Sequence, residues 1–460
     1  MVYGPEVAVQ VSTKYNLPKT EQIGKSILPI IGGPSLISMN GDEWKTWRSL
    51  FKPGFSAASM SENVPHIVRY VQIFCDKLTE RAGKGLFKLD DLTTRLTMDV
   101  IIKLTLDTDL DYQRSENPLS NALGWIARWH SFWDPRILMH PFRPFIQRYF
   151  SKAMDDFIRK ELDQRFLELK ASKSVSSGRT KSVIALALEA YMAENASKDL
   201  ARMTKLDDHF ARYATYQIRL FLFAGNDTTS SSIIYAYHLL SQHPEILDEL
   251  RKEHDSVFGT DTSKVADMLK EKPALLNQCR YTLAVIKETL RLCAPASTMR
   301  APRSGVVVTD RHNNAYPMDH VGATIVHPTA HLNPRVWPRP TEFLPECFLV
   351  DSDHELYPNP GAYRPFEQGP RACIGQTLVY NEMRTVLALT GRSFEISPAY
   401  DEWDREQERS EGWMKKLGKR VGLVREMPRT VHGDRAYQTE KAGTHPADGY
   451  PCRVELVHSD

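Results

Sequence analysis

FEQGPRACIG, residues Phe366 to Gly375, sets a lone cysteine, Cys373, two residues after an arginine and between two glycines. From Ile374 onward the chain reads IGQTLVYNEMRTVLALTG, with apolar residues recurring at three and four, and this spacing predicts a helix. Cys373 therefore stands just before a helix N-terminus, where unpaired backbone N–H groups and the positive end of the dipole favour an anion. Gly369 and Gly375 let the backbone turn sharply. Arg371 offers a charge-assisted hydrogen bond to an acidic group. A single cysteine near a helix start is more often a small buried hydrophobe. The decamer can supply the electropositive, partly screened seat that a metal-ligating thiolate needs.

The pattern FxxGxRxCxG resembles, at every specified position, the haem-binding signature of the cytochrome P450 family. That resemblance implies haem b with Cys373 as the axial thiolate. It also implies Gly369 and Gly375 close under the porphyrin, Arg371 on a propionate and Phe366 lying over the ring. The implied fold is mainly α with small β-sheets.

Other stretches carry the same resemblance. In GDEWKTWRSLFKPGFS, Trp44 and Arg48 lie four apart on one helical face, which alone means a half-buried surface helix. The likeness to the family's WxxxR helix makes them contacts to one propionate. Within a long helix expected from about Leu206 to Leu240, Ala224 to Thr229 reads AGNDTT. Polar residues on a buried face are costly unless they have a task. One reading is a helix crossing permitted by Gly225, with hydroxyls bonded to their own backbone. The other, implied by the family's AGxDTT motif, is an oxygen-binding groove widened at Gly225, with Ala224 and Gly225 against the cofactor and Asp227 and Thr228 as catalytic proton-delivery residues. Glu288 and Arg291 form an ExxR pair three apart, a buried structural lock in the family. Arg300 matches a further propionate contact. The chain departs from the family at Pro345 to Phe348, PECF, where Cys347 stands in place of the usual arginine. Cysteine cannot supply a charge-assisted fork, so the network is two-membered or is completed from elsewhere, with Arg339 a candidate.

The chain of 460 residues is long enough for two or three average domains. The motifs span it and point at one cofactor, so 1–460 is expected to be one domain. A net charge of +2 gives no reason to expect nucleic acid. Six scattered cysteines without a CxxC pair argue for a reducing compartment and against a zinc site. No apolar run approaches the roughly 20 residues of a membrane span. The resemblance implies that the chain starts beyond the family's membrane anchor and first strands, and that it works at the cytosolic face of the endoplasmic reticulum.

Further expectations are local. Glu6 to Lys14 reads as a short helix and Pro18 to Asn40 as a Gly- and Pro-rich loop. Ser59 to Leu106 reads as helix broken at Gly83 to Gly85. Trp125, Trp129 and Trp133 suggest a core-facing stripe, Ile137 to Phe142 a membrane-contacting segment, and Ala171 to Lys181 an exposed connector. Short strands are expected at 305–310, 315–318 and 323–327. HPADGY, 445–450, is expected to touch the pocket, in a tail that resembles filamentous-fungal members.

The function implied is haem-thiolate monooxygenation of a small lipophilic, secondary-metabolite-like substrate with O2. Electrons would come from a separate NADPH-cytochrome P450 reductase, since no GxGxxG follows a strand. A member that works without dioxygen, or a degenerate haem binder, remains as the alternative.

Overall fold

The computed structural model describes residues 1–132, 134–171, 181–194, 205–410, 430–441 and 443–457. It is mainly helical with small antiparallel sheets, as expected. The organising element is a central helix, Asp208–Gln242. It starts where the Asp207 carboxylate accepts from the Phe210 N–H, and it stops at His243, ahead of Pro244. Nearly every residue on it from Phe210 to Leu222 and from Thr229 to Leu240 is buried.

The broadest partner of the central helix is Leu89–Leu106. Polar side chains join the two. Asn226 Nδ2 donates to Thr94 O (2.7 Å) and to Thr97 Oγ1 (2.9 Å), and the Thr93 and Ser230 hydroxyls meet at 2.8 Å. These bonds satisfy groups whose burial would otherwise cost about 1–3 kcal/mol each. The cysteine helix, Gln376–Thr390, packs on the central helix, on Val64–Arg81 and on Arg280–Leu292.

Phe87–Lys88, Pro451–Leu456 and Phe394–Pro398 form a three-stranded sheet in that order. Thr298–Arg300 pairs with Ala323–Ile325, and Val307–Thr309 with Ala315–Pro317. The hairpin Gln438–Lys441 with Gly443–Pro446 lies against the central helix.

Two local expectations fail. Pro18 to Asn40 is not a loop throughout, because Glu21–Ile31 is helical. Thr20 caps it, Gly32 at φ +89 ends it, and Ile27, Ile30 and Ile31 are buried on one face. Pro29 is tolerated in its last turn. Neither does the tryptophan stripe face the core. The helix Pro118–Arg128 buries Leu119, Ala122, Leu123 and Ile126 instead, while Trp125 is 43 % exposed and stacks on Phe150. Trp133 lies outside the described residues, as do 172–180 of the expected connector.

Candidate functional site

The loop before the cysteine helix is shaped by its own backbone. Cys373 N–H donates to Phe366 O (2.8 Å) and Ala372 N–H to Gly369 O (3.0 Å). Gly369 has φ +81, and a Cβ there would stand 2.7 Å from Ser12 O. Its glycine thus answers to the N-terminal segment, beyond the porphyrin approach expected. Gly375 is the N-cap of Gln376–Thr390. Phe366 meets the Tyr380 ring edge-on at 5.1 Å.

Cys373 is solvent-accessible in the loop ahead of the helix. Burial pushes its thiol up, while the N–H groups of Gly375 and Gln376 and the charge of Arg48 oppose that rise. Ala224 is likewise exposed although it sits midway along the buried central helix.

Four cations gather near this loop. Arg48 Nη2 donates to Ala372 O (2.9 Å). Arg371 donates to Met39 O (3.0 Å) and Asn40 Oδ1 (2.9 Å), and its guanidinium lies 4.4 Å from the Trp44 ring centre. Arg300 is fully buried and donates to Leu17 O at 3.2 Å, and among the described residues its Nε and Nη2 find no partner, nor does Arg371 Nε. Lys19 donates to Thr298 Oγ1 at 2.7 Å. Burial, then Arg300, brings the Lys19 ammonium down to about 7, and burial with Arg300 and Arg48 brings Arg371 down to about 10. The acid nearby, Glu367, is engaged by Arg364 and by His327 (3.4 Å). Despite burial, those partners hold its carboxyl down to about 2.

Buried guanidinium donors left without acceptors, beside like charges, call for an anionic occupant. A group bearing two carboxylates, as haem b does, fits this set, and Cys373 would offer it a sulfur ligand. Lys19 was not flagged in the sequence, where a lone lysine after Pro18 carries no signal.

On the central helix the AGNDTT run is α-helical without a break, so no widening occurs at Gly225. A Cβ on Gly225 would stand 2.7 Å from Ile101 Cδ1 and 2.8 Å from Cγ1. Gly225 therefore faces the Leu89–Leu106 helix, which is the helix-crossing reading. Thr228 Oγ1 donates back to Ala224 O at 2.8 Å. Asp227 turns to the C-terminal hairpin, where its Oδ1 accepts from His445 Nε2 at 3.0 Å. The other face of His445 meets Asp90 Oδ1 at 2.6 Å. HPADGY touches the site through this histidine, whereas Asp90 gave no sign in the sequence.

The Glu288–Arg291 pair is fully buried and bidentate, at 2.6 and 2.7 Å. Arg291 spends its remaining donors on His331 O, Pro340 O and Glu342 O, so its fork is complete. Arg339 plays no part. It is half exposed, and its Nη1 pairs with Glu342 at 3.3 Å. Cys347 lies 3.8 Å from Glu288 Oε2 and donates to Leu344 O at 2.9 Å. The network is thus two-membered and closed by backbone carbonyls.

Comparison with known proteins agrees with this geometry. The chain is 39% identical over 99% of its length to cytochrome P450 monooxygenase polC of Polytolypa hystricis, covering 79% of that protein. It is 32% identical over 99% of its length to cytochrome P450 monooxygenase acrF of Aspergillus aculeatus, covering 91%. Among solved structures it superimposes on a cytochrome P450 (CYP102L1) with a TM-score of 0.74 at 21% identity, covering 99% of this chain and 92% of that one. The family model for cytochrome P450 matches residues 1–420, and the chain belongs to the cytochrome P450 family.

Proposed function

We propose that the chain, working as one domain, is a haem-thiolate monooxygenase that inserts one atom of O2 into a small lipophilic organic molecule of secondary-metabolite type. Haem b bound at Cys373 would supply the oxygen-activating redox chemistry, with electrons from an NADPH-dependent reductase. The observation that carries this reading is Cys373 just ahead of a helix N-terminus, beside buried Arg300 and half-buried Arg371, both with unpartnered donors among the described residues.

Each side chain then has a task. Cys373 would hold the iron through its thiolate, which the Gly375 and Gln376 N–H groups and Arg48 favour. Lys19, Arg48, Arg300 and Arg371 hold the propionates, with Trp44 beneath Arg371 and Phe366 as an apolar cover. Thr228 and Asp227 hold and pass protons on the central helix, next to Ala224 and Gly225. Glu288 and Arg291 fix the segments that seat the loop.

Among the described residues no helix is long and apolar enough to cross a membrane. Met139, Phe142, Phe145 and Tyr149 are exposed together and form an apolar patch suited to the cytosolic surface of the endoplasmic reticulum membrane.

The test is the spectrum of the reduced, carbon-monoxide-bound protein. A strongly red-shifted Soret band, abolished in Cys373→Ser, is expected. Its persistence in that variant refutes the assignment. Candidate substrates that shift the ferric spectrum to high spin identify the substrate class.

A further inference from the structure

His445 joins segments that are far apart in the chain. It lies on the strand Gly443–Pro446, opposite Thr439, with Asp227 of the central helix on one side and Asp90 of Leu89–Leu106 on the other. His445 and Asp90 are almost wholly buried, at 4 % and 3 % exposure, and Asp227 Oδ2 is buried without a partner. The hairpin is pinned from several directions. Ser231 Oγ donates to Thr444 O, Thr444 Oγ1 donates to Pro295 O (3.1 Å), and Gln438 Nε2 donates to Ala294 O (3.3 Å). The ring's place is therefore set by the fold.

An ionised carboxylate only accepts hydrogen bonds, so carboxylates on both ring nitrogens require both to carry protons, and His445 is an imidazolium. Burial alone would lower its proton affinity. The hydrogen bonds to Asp227 and Asp90 outweigh that and bring it up to about 10. The charged groups facing the ring are Asp227 from the central helix and Asp90 from Leu89–Leu106. Tyr235, which feels Asp90, is pushed far up by burial and stays neutral. A buried charge cluster of this kind is weak evidence for stability, because apolar residues fill such space at less cost. Its geometry is specific, however. Asp227 Oδ2 is pressed against Gly443, where any Cβ would collide with it. Both oxygens of Asp227 are thus committed to the hairpin.

We propose that His445 is a positioning residue, anchored by Asp90, that clamps the Asp227 carboxylate against Gly443 and so governs how that carboxylate takes up and releases protons. This rests on the proton-delivery role given to Asp227 above. A merely structural hairpin anchor would change stability and leave proton handling alone.

The experiment compares the haem-loaded wild type with Asp227→Asn, His445→Gln and Gly443→Ala. Gly443→Ala removes no titratable group and displaces Asp227 by size alone. In each, the carbon-monoxide spectrum is expected to stay thiolate-like. The fraction of consumed O2 that ends as hydrogen peroxide is expected to rise, with product formation falling roughly tenfold to a hundredfold and a larger solvent isotope effect. The second readout is melting against pH without turnover. A histidine raised in the fold stabilises fully below its unfolded value near 6.5 and loses that contribution as pH climbs toward 10. The gap in Tm between wild type and His445→Gln should therefore narrow over that window.

If Asp227→Asn leaves peroxide yield and isotope effect unchanged, the role of Asp227 fails and this inference falls with it. If Asp227→Asn alters them while His445→Gln and Gly443→Ala do not, the clamp alone is overturned. A Tm gap that stays constant from pH 6.5 to 10 also overturns it, and this readout serves even if Gly443→Ala does not fold.

Discussion

Gly225→Ala separates the two readings of the AGNDTT helix by energy. In an exposed mid-helix site, glycine to alanine gains about 0.5–1 kcal/mol from reduced backbone freedom. Here the new methyl would stand 2.7 and 2.8 Å from Ile101 Cδ1 and Cγ1, on a side chain that is itself only 2 % exposed. A β-branched residue in a helix is nearly confined to one χ1 rotamer, so Ile101 cannot swing aside. Overpacking of this kind costs about 1–3 kcal/mol, and the clash wins. Net destabilisation of about 1–2 kcal/mol is expected in urea unfolding of the haem-loaded protein. Ile101→Ala removes both Cδ1 and Cγ1 and by itself costs about 2–5 kcal/mol. In the double variant the methyl occupies the space released, so the two costs should fall short of additivity by about 1 kcal/mol. If Gly225→Ala stabilises the protein, or if the double variant is strictly additive, the close helix crossing is not why glycine stands there.

Other outcomes follow from the same contacts. Glu288→Ala strands the buried Arg291 guanidinium, which should cost about 3–5 kcal/mol and show as loss of soluble, haem-containing protein on expression. Cys347→Arg would place a charged donor where a sulfur now lies 3.8 Å from Glu288, worth about 1.5–3 kcal/mol if it bonds, and haem per polypeptide should rise; no gain counts against a weakened network. Lys19, down to about 7 in the fold against 10.5 unfolded, opposes folding of the haem-free protein below pH 7 and ceases to do so above 10.5. Lys19→Met should therefore melt higher than wild type near pH 7, with the difference shrinking as pH rises; a pH-independent difference would contradict the shift. Replacing Phe142 and Phe145 together by serine should weaken binding to lipid vesicles about tenfold, read by co-sedimentation.

What the sequence revealed was local. The cysteine decamer, the WxxxR helix and the ExxR pair are short patterns: the decamer runs up to a helix N-terminus, Trp44 and Arg48 share one helix, and Glu288 meets Arg291 within one helix, as their spacings predict, while the burial of that pair was implied only by the family resemblance. The strands near 307, 315 and 323 were also legible, because turn residues bracket them. Two kinds of feature were not. Pro29 reads as a breaker, yet it falls in the last turn of Glu21–Ile31, where capping by Thr20 and Gly32 and the burial of Ile30 and Ile31 prevail. The aromatic period at Trp125 and Trp129 mimicked a core stripe, but the buried face belongs to smaller residues one position away. Groups that meet only through the fold stayed hidden. Lys19 reaches Thr298 across 279 residues and Asp90 reaches His445 across 355, and neither partnership has a spacing to read.

Those long-range partners divide the site by sign of charge. On the cysteine side, Arg300 and Arg371 make it harder for Lys19 to keep its proton and Arg300 does the same to Arg371, an arrangement that an anion placed among them relieves. On the central-helix side, two carboxylates flank a single imidazolium, an arrangement that retains a proton far into alkaline pH. On the proposed function, the first group would select what binds and the second would hold what is transferred. Because the N-terminal segment supplies Lys19 and the C-terminal hairpin supplies His445, both functions depend on chain ends that carry none of the signature motifs. Damage to either end should therefore be readable as a separate defect, haem retention from Lys19 and proton handling from His445, while the Cys373 loop remains intact.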